Sequence, residues 1–235
     1  NLLLMNISNF MQKMLMSAAF IVIPIAIVKY FGMDKKDLSG IYSVATVFGF
    51  IAMGIGGAIG ETKRITKQIL VIGVSLFVVC YGLFALSLGH KPLFYAGVII
   101  FFIVFTLHEP ILQSMASKFS KVSQKGAVLG IFNAFGYMGN FIGGIGGGTL
   151  LKFYGLSALS AVVTVLCVVW LIALKWLDNP NIFKNIYLPS SANADMATLE
   201  MQKGVVECYK TAQNLVVKYN SKLTDEAAIK RIIGI

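Results

Sequence analysis

Up to Leu174 the chain is built from long apolar blocks. Leu38–Gly60, Gln68–Gly89, Gly126–Leu151 and Phe153–Leu174 each run 22 to 26 residues without an Asp, Glu, Lys or Arg. A helix rises about 1.5 Å per residue, so roughly 20 apolar residues cross the ~30 Å hydrocarbon layer of a bilayer. Two further stretches keep the pattern but carry charge inside it: Met5–Tyr30 with Lys13, and Leu93–Ala116 with His108 and Glu109. The pattern therefore predicts six membrane-spanning helices, at about Met5–Tyr30, Ile41–Gly60, Gln68–Leu88, Leu93–Ala116, Gly126–Gly148 and Leu156–Leu177. Pro24 should kink the first.

After Pro180 the periodicity changes. Phe183–Leu188 alternates like a strand, Ala194–Lys203 reads as a helix and Gly204 breaks it. Val205–Thr211 and Leu215–Tyr219 read as strands joined by a turn at Ala212-Gln213-Asn214. Thr224 is the expected N-cap of a helix running through Ile233. The order βαββα is most of a ferredoxin-like fold, with its last strand missing. The fold expected is a membrane all-α domain of six helices over residues 1–178, followed by a small α+β ferredoxin-like domain over residues 179–235.

Composition sharpens this. With 57% hydrophobic and 13% charged residues, an ordinary soluble domain is excluded. The net charge is +10; from Asp178 onward seven basic residues face six acidic ones, leaving +1 there and +9 before it. The basic residues cluster in short loops between apolar runs, which marks orientation in a bilayer and not a nucleic-acid partner. Counting loops, Lys63, Arg64, Lys67, Lys118, Lys121, Lys125, Lys175 and Lys184 fall on one side, and Lys29, Lys35, Lys36, Lys91 and Lys152 on the other. Eight against five puts the N-terminus and the tail in the cytoplasm. The chain opens at Asn1 already inside an apolar stretch, so we expect it to be a piece of a longer chain.

Enzymatic and metal chemistry lack parts. Cys80, Cys167 and Cys208 are far apart, the two histidines cannot form a cluster, and no Gly-x-Ser-x-Gly elbow occurs. We expect no metal, no cofactor and no catalytic residues. The charges inside the spans are the sharper signal, because ionisable groups at membrane depth are costly and are placed for a purpose. Thr106, Glu109 and Gln113 share one face of the fourth span. Desolvation disfavours the charged carboxylate, so Glu109 is a candidate to take up and release a proton near neutral pH. Lys13 lies at similar depth in the first span, on a face with Asn9, Gln12 and Met16, and reads either as the natural counter-charge or as a lysine that snorkels to the interface. His108 points about 100° away from Glu109 and reads either as a proton relay or as a buried packing residue. Asn133, Tyr137 and Asn140 on the fifth span, and Tyr42 and Thr46 on the second, form polar stripes that could line a substrate cavity or serve packing. Gly139, Gly143 and Gly147 allow close helix approach.

Six spans, a carboxylate in the fourth, a basic turn after the second and a glycine-rich fifth resemble the C-terminal half of a major facilitator superfamily transporter. Phe105-Thr106-Leu107-His108-Glu109-Pro110-Ile111-Leu112-Gln113-Ser114 resembles the tenth helix of the YajR-type drug/proton antiporter subgroup, and Lys125-Gly126-Ala127-Val128-Leu129-Gly130-Ile131-Phe132 the start of the eleventh. The tail resembles the small domain this subgroup carries after its last helix. Gly57-Ala58-Ile59-Gly60-Glu61-Thr62-Lys63-Arg64 is similar to the family's cytoplasmic loop motif, with Glu61, Lys63 and Arg64 at its charged positions. The resemblance implies a bacterial inner-membrane transporter that exports small amphipathic compounds in exchange for protons, with an N-terminal six-helix half as partner. It also implies that Lys13 and Glu109 face the central cavity. The competing expectation is a membrane-anchored regulatory protein whose helices only position the tail.

Overall fold

The computed structural model describes residues 1–34, 36–189 and 196–233. Five helices long and apolar enough to cross a membrane come first: α1 (Leu2–Lys29), α2 (Asp37–Thr62), α3 (Thr66–Leu86), α4 (Lys91–Phe119) and α5 (Lys125–Ala173). Helix is what such sequences must form, because in lipid every backbone N–H and C=O has to find its partner within the segment.

α5 is two helices joined at a kink, and the kink falls in the stretch between Gly148 and Leu156 where the hydropathy pattern predicts a break: Gly155 alone leaves helical geometry, at φ 80° and ψ −179°. The chain reverses there. Gly136, Gly143 and Gly147 face Asn9, Met14 and Ala18 in rising order along α1, and Gly155 reaches the Tyr30 hydroxyl. Beyond the reversal, Trp170 is back at Ser8 and Asp178 at Asn1. One residue at positive φ, which glycine alone tolerates cheaply, makes the hairpin.

The upward half of α5 lies almost in contact with α1. A Cβ on Gly139 or Gly143 would collide with the carbonyl oxygens of Phe10 and Met14, and one on Gly147 would sit 2.9 Å from Ala18. Small residues at every fourth position let the two backbones approach, which in lipid gives dispersion contact that the hydrophobic effect does not supply. Polar side chains stitch the core: Tyr81 on α3 donates to the Leu15 carbonyl (2.8 Å), Asn9 to the Phe132 carbonyl (2.7 Å) and the Trp170 indole to Ser8 (3.0 Å).

α2 is the outlier. Only 11% of its most apolar window is buried, against 44%, 44% and 50% for α1, α3 and α4. It touches α4 along Ala45 and Gly49 and leaves Val47, Phe50, Ile51 and Ile55 more than half exposed.

The tail is a three-stranded antiparallel sheet of β1 (Phe183–Pro189), β2 (Val205–Lys210) and β3 (Asn214–Asn220), with β3 in the centre, and two helices, α6 (Met196–Glu200) and α7 (Glu226–Ile233). With β1 and β2 both antiparallel to β3, the connection through α6 is the split β-α-β of ferredoxin-like folds. Its core joins Ile186, Leu188, Leu199, Leu215, Val217 and Ile229. α6 is shorter than the helix expected over Ala194–Lys203; residues 194 and 195 lie outside the described ones, and the chain already turns at Met201. The cap of α7 is Asp225 and not Thr224: its Oδ1 accepts from the Ala228 amide at 2.7 Å, the Ncap-to-N3 geometry. A carboxylate there also complements the positive end of the helix.

Candidate functional site

Two helices whose apolar runs carry a charge, α1 and α4, meet near the middle of the bundle. Lys13 stands eleven residues into α1 and Glu109 ten from the end of α4, each ~15 Å or more from the helix terminus. The Lys13 ammonium lies 2.7 Å from Oε2 and 2.8 Å from Oε1 of Glu109, so one cation is held by both carboxylate oxygens. Gln12 donates to Glu109 Oε2 and to the Phe105 carbonyl, both at 3.2 Å. The Phe105 ring sits 5.7 Å from the ammonium and presents its electron-rich face. The side chains of Lys13 and Glu109 are 20% and 34% exposed, so the pair opens on one side and is walled on the others.

The local sequence explains the arrangement. α1 puts Asn9, Gln12, Lys13 and Met16 on one face; Asn9 is spent on the Phe132 carbonyl of α5, leaving Gln12 and Lys13 for α4. Gly136 leaves room for this face: a Cβ there would press on Asn9 and on the Lys13 stem. Pro110 follows Glu109 directly and removes one backbone donor from α4, loosening the helix beside its charge.

The other sequence candidates divide. His108 is fully buried and turned away from the pair: its Nε2 faces the Leu70 carbonyl at 3.1 Å, it fills the space over Gly73, and it packs edge-on to Phe77 and Trp170. Thr106 is on the face of Glu109, but its hydroxyl bonds the Gly49 carbonyl across to α2 and its own helix. Tyr42 belongs to an aromatic cluster with Phe20 and Phe102, and Thr46 is half-buried. Met16 is half-buried beside Lys13's turn, Gln113 is exposed, and Asn133 and Tyr137 lie on the exposed face of α5, with Asn140 half-buried. What sequence spacing could not place was Phe105 over the cation, because apolar residues occupy every face of α4 near it.

At the end of the bundle that carries Asn1 and the basic turns, Glu61 closes α2 onto α4, accepting from Ser114 and Lys118 at 2.6 Å each. Lys63 is exposed, and Arg64 holds the turn at φ 56° with its carbonyl accepting from Asn181. The tail docks here. Glu207 on β2 accepts from the Val122 (2.6 Å) and Ser123 (3.0 Å) amides, while the Lys218 ammonium on β3 donates to the Lys118 (2.7 Å) and Ser120 (2.6 Å) carbonyls. One carboxylate and one ammonium thus satisfy the backbone groups left open between α4 and α5. Burial pushes the Glu207 carboxyl up, but the Ser123 and Val122 amides outweigh it and hold it below the ordinary range. Burial holds Lys218 below its usual value; Glu207 opposes this and the like charge of Lys125 adds to it. Neither docking residue was legible in the sequence, where Glu207 and Lys218 are charged positions within strand-like segments and nothing marks them for the main chain of another element.

Comparison with known proteins agrees with this architecture. The chain is 29% identical over 169 residues to an uncharacterized transporter of Buchnera aphidicola subsp. Baizongia pistaciae (strain Bp), covering 71% of this chain and 43% of that protein. It is 27% identical over 180 residues to the inner membrane transport protein YajR of Escherichia coli (strain K12), covering 74% of this chain and 40% of that one. The chain therefore spans less than half the length of these curated relatives. The family profile of the Major Facilitator Superfamily matches residues 5–201, and on that match the chain belongs to the Major Facilitator Superfamily.

Proposed function

We propose that this chain is the C-terminal half of a proton-coupled secondary transporter that moves small amphipathic compounds outward across a bacterial inner membrane by alternating access. The observation that carries this reading is the Lys13–Glu109 pair, bridging α1 and α4 at mid-bundle depth with one open side. A neutral pair is tolerated in a low-dielectric site where either charge alone is not. Protonating Glu109, or bringing a cationic substrate to it, releases Lys13 and unties the two helices; this is a two-state element that a proton can bias.

In this reading the protein crosses the membrane six times, with α5 contributing two crossings joined at Gly155. The unit over residues 1–178 is the transport half and residues 179–235 form a cytoplasmic domain docked through Glu207 and Lys218. The exposed faces of α2 and of the upward half of α5 are those an N-terminal six-helix half would cover, with Gln113, Asn133 and Tyr137 turned to the space between halves. His108 is assigned to packing of α3 against α5, since its ring is enclosed by Gly73, Phe77 and Trp170. A purely regulatory anchor would require no ion pair at this depth.

The test is proton flux in proteoliposomes of the complete transporter, driven by an outward gradient of a fluorescent amphipathic dye. Glu109→Gln should abolish dye-coupled proton movement while leaving the protein in the membrane; unaltered coupling removes Glu109 from the mechanism.

A further inference from the structure

Where the tail meets the helices, two cavities of about 310 and 340 Å³ lie side by side. They share Lys118, Asn181, Phe183 and Asn185 in their walls, so they form one seam between the ends of α2 and α4 and the first strand of the tail. Each is within the size range of small-molecule sites.

The seam has an unbalanced charge. Arg64, Lys118, Lys125, Lys184 and Lys218 line it, and the carboxylates bonded at its edges are Glu61 and Glu207; five cations against two anions leave +3. Lys118 is neutralised by Glu61 at 2.6 Å, and Lys218 is spent on the Lys118 and Ser120 carbonyls. Among the described residues, Arg64, Lys125 and Lys184 have no acidic partner within 4.0 Å. Asn185 adds an amide donor beside them, and the Phe183 ring forms an apolar wall against Phe119. Arg64 and Lys184 on one cavity and Lys125 on the adjoining one, none with an acidic partner among the described residues, stand beside an apolar wall at the level where membrane helices end, which matches the chemistry of a phosphoryl group carried on an apolar or glycerol-like body.

We propose that this seam binds a phosphoryl anion, supplied by an anionic phospholipid headgroup or by free phosphate, through Arg64, Lys125 and Lys184. Bound there, the anion bridges the turn after α2, the start of α5 and β1, and so clamps the tail to the bundle. This site is separate from Lys13 and Glu109 and does not depend on their coupling protons.

The test titrates the full chain in neutral detergent with dioctanoyl phosphatidylglycerol, dioctanoyl phosphatidylcholine and inorganic phosphate, reading retained ligand by native mass spectrometry. Phosphatidylglycerol should be retained over phosphatidylcholine, and the triple variant Arg64→Gln/Lys125→Gln/Lys184→Gln should weaken retention on the order of a hundredfold, about fivefold per charge. Competition by inorganic phosphate marks a site for the phosphoryl group itself. Retention of phosphate alone, lost in the same variant, assigns the soluble source; retention of the lipid without phosphate competition assigns the headgroup. A control triple variant at the opposite end of the bundle, Lys29→Gln/Lys91→Gln/Lys152→Gln, removes the same charge. The proposal is overturned if the two triple variants lose binding equally, or if neither does. Lys125→Arg/Lys184→Arg keeps the charges and should bind as the parent does, separating loss of the site from loss of the fold.

Discussion

Lys13 and Glu109 bear opposite charges where water is scarce, and that single fact sets how each will respond to mutation. Removing one partner leaves the other uncompensated, which for fully buried pairs costs about 3–5 kcal/mol; with Glu109 a third exposed, a smaller loss of about 1–3 kcal/mol is expected for Lys13→Ala or Glu109→Ala. The double replacement by Met and Leu should recover most of that stability, measured as the unfolding midpoint in detergent, because it removes both charges at once. On the proposed function transport should not recover, because the carboxylate assigned to it is gone. Gln12 tests the same site more gently: Gln12→Leu deletes two donors to α4 and should lower the midpoint by about 1 kcal/mol in equivalent stability. Lys13 and Glu109 were visible in the sequence because each puts a charge inside an otherwise apolar run. The sequence leaves His108 open between a relay and a packing residue, and only the space over Gly73 on another helix shows where the ring goes.

At the scale of elements, the glycines of α5 divide by what lies across from them. Gly139→Ala and Gly143→Ala would push Cβ atoms into the α1 backbone, which cannot yield as a side chain tip can, and each should destabilise by about 1–3 kcal/mol. Gly130→Ala and Gly146→Ala meet open space and should be neutral or stabilising by up to ~1 kcal/mol through helix propensity. Comparing the four variants by thermal unfolding in detergent checks the register of α1 against α5. Gly155→Ala is a separate case: at φ 80° any Cβ is strained, so the hairpin should weaken by about 1–3 kcal/mol. The sequence displayed the i, i+4 glycine spacing and hence the close approach. It also puts the break between Gly148 and Leu156, where the kink lies; what it does not single out is Gly155, because the stretch with Thr149, Lys152 and Tyr154 has the polarity of a loop throughout. In the tail, alternation marked the first strand and strand-forming composition the other two, while the choice of Asp225 over Thr224 as cap depended on where the helical turn begins, which composition leaves open by a residue.

At the scale of the molecule, the tail is tied to the bundle by contacts that pH can loosen. Glu207 is held below its ordinary 4.5 in the docked state, so its contribution to docking is complete above that value and fades as pH falls through the lowered one. Protection of the Val122 and Ser123 amides against hydrogen exchange, relative to their intrinsic rates, should therefore fall on acidification below pH 4.5, and Glu207→Gln should weaken protection at neutral pH while flattening its pH dependence. Overall architecture was legible from hydropathy because lipid permits so few backbone solutions, whereas the docking seam was not, since its carboxylate and ammonium recognise main-chain groups that carry no sequence signature. The exposed α2 belongs to this scale too: a helix so little buried in its own bundle is built to be covered by protein or lipid outside it. How the two helices of the central pair cooperate is tested most directly by exchanging their charges in the complete transporter and measuring dye-coupled proton flux in proteoliposomes. Lys13→Glu and Glu109→Lys should each lose flux by tenfold or more, and the double exchange should regain at least part of it; a double exchange no more active than the weaker single variant would contradict a working ion pair between α1 and α4.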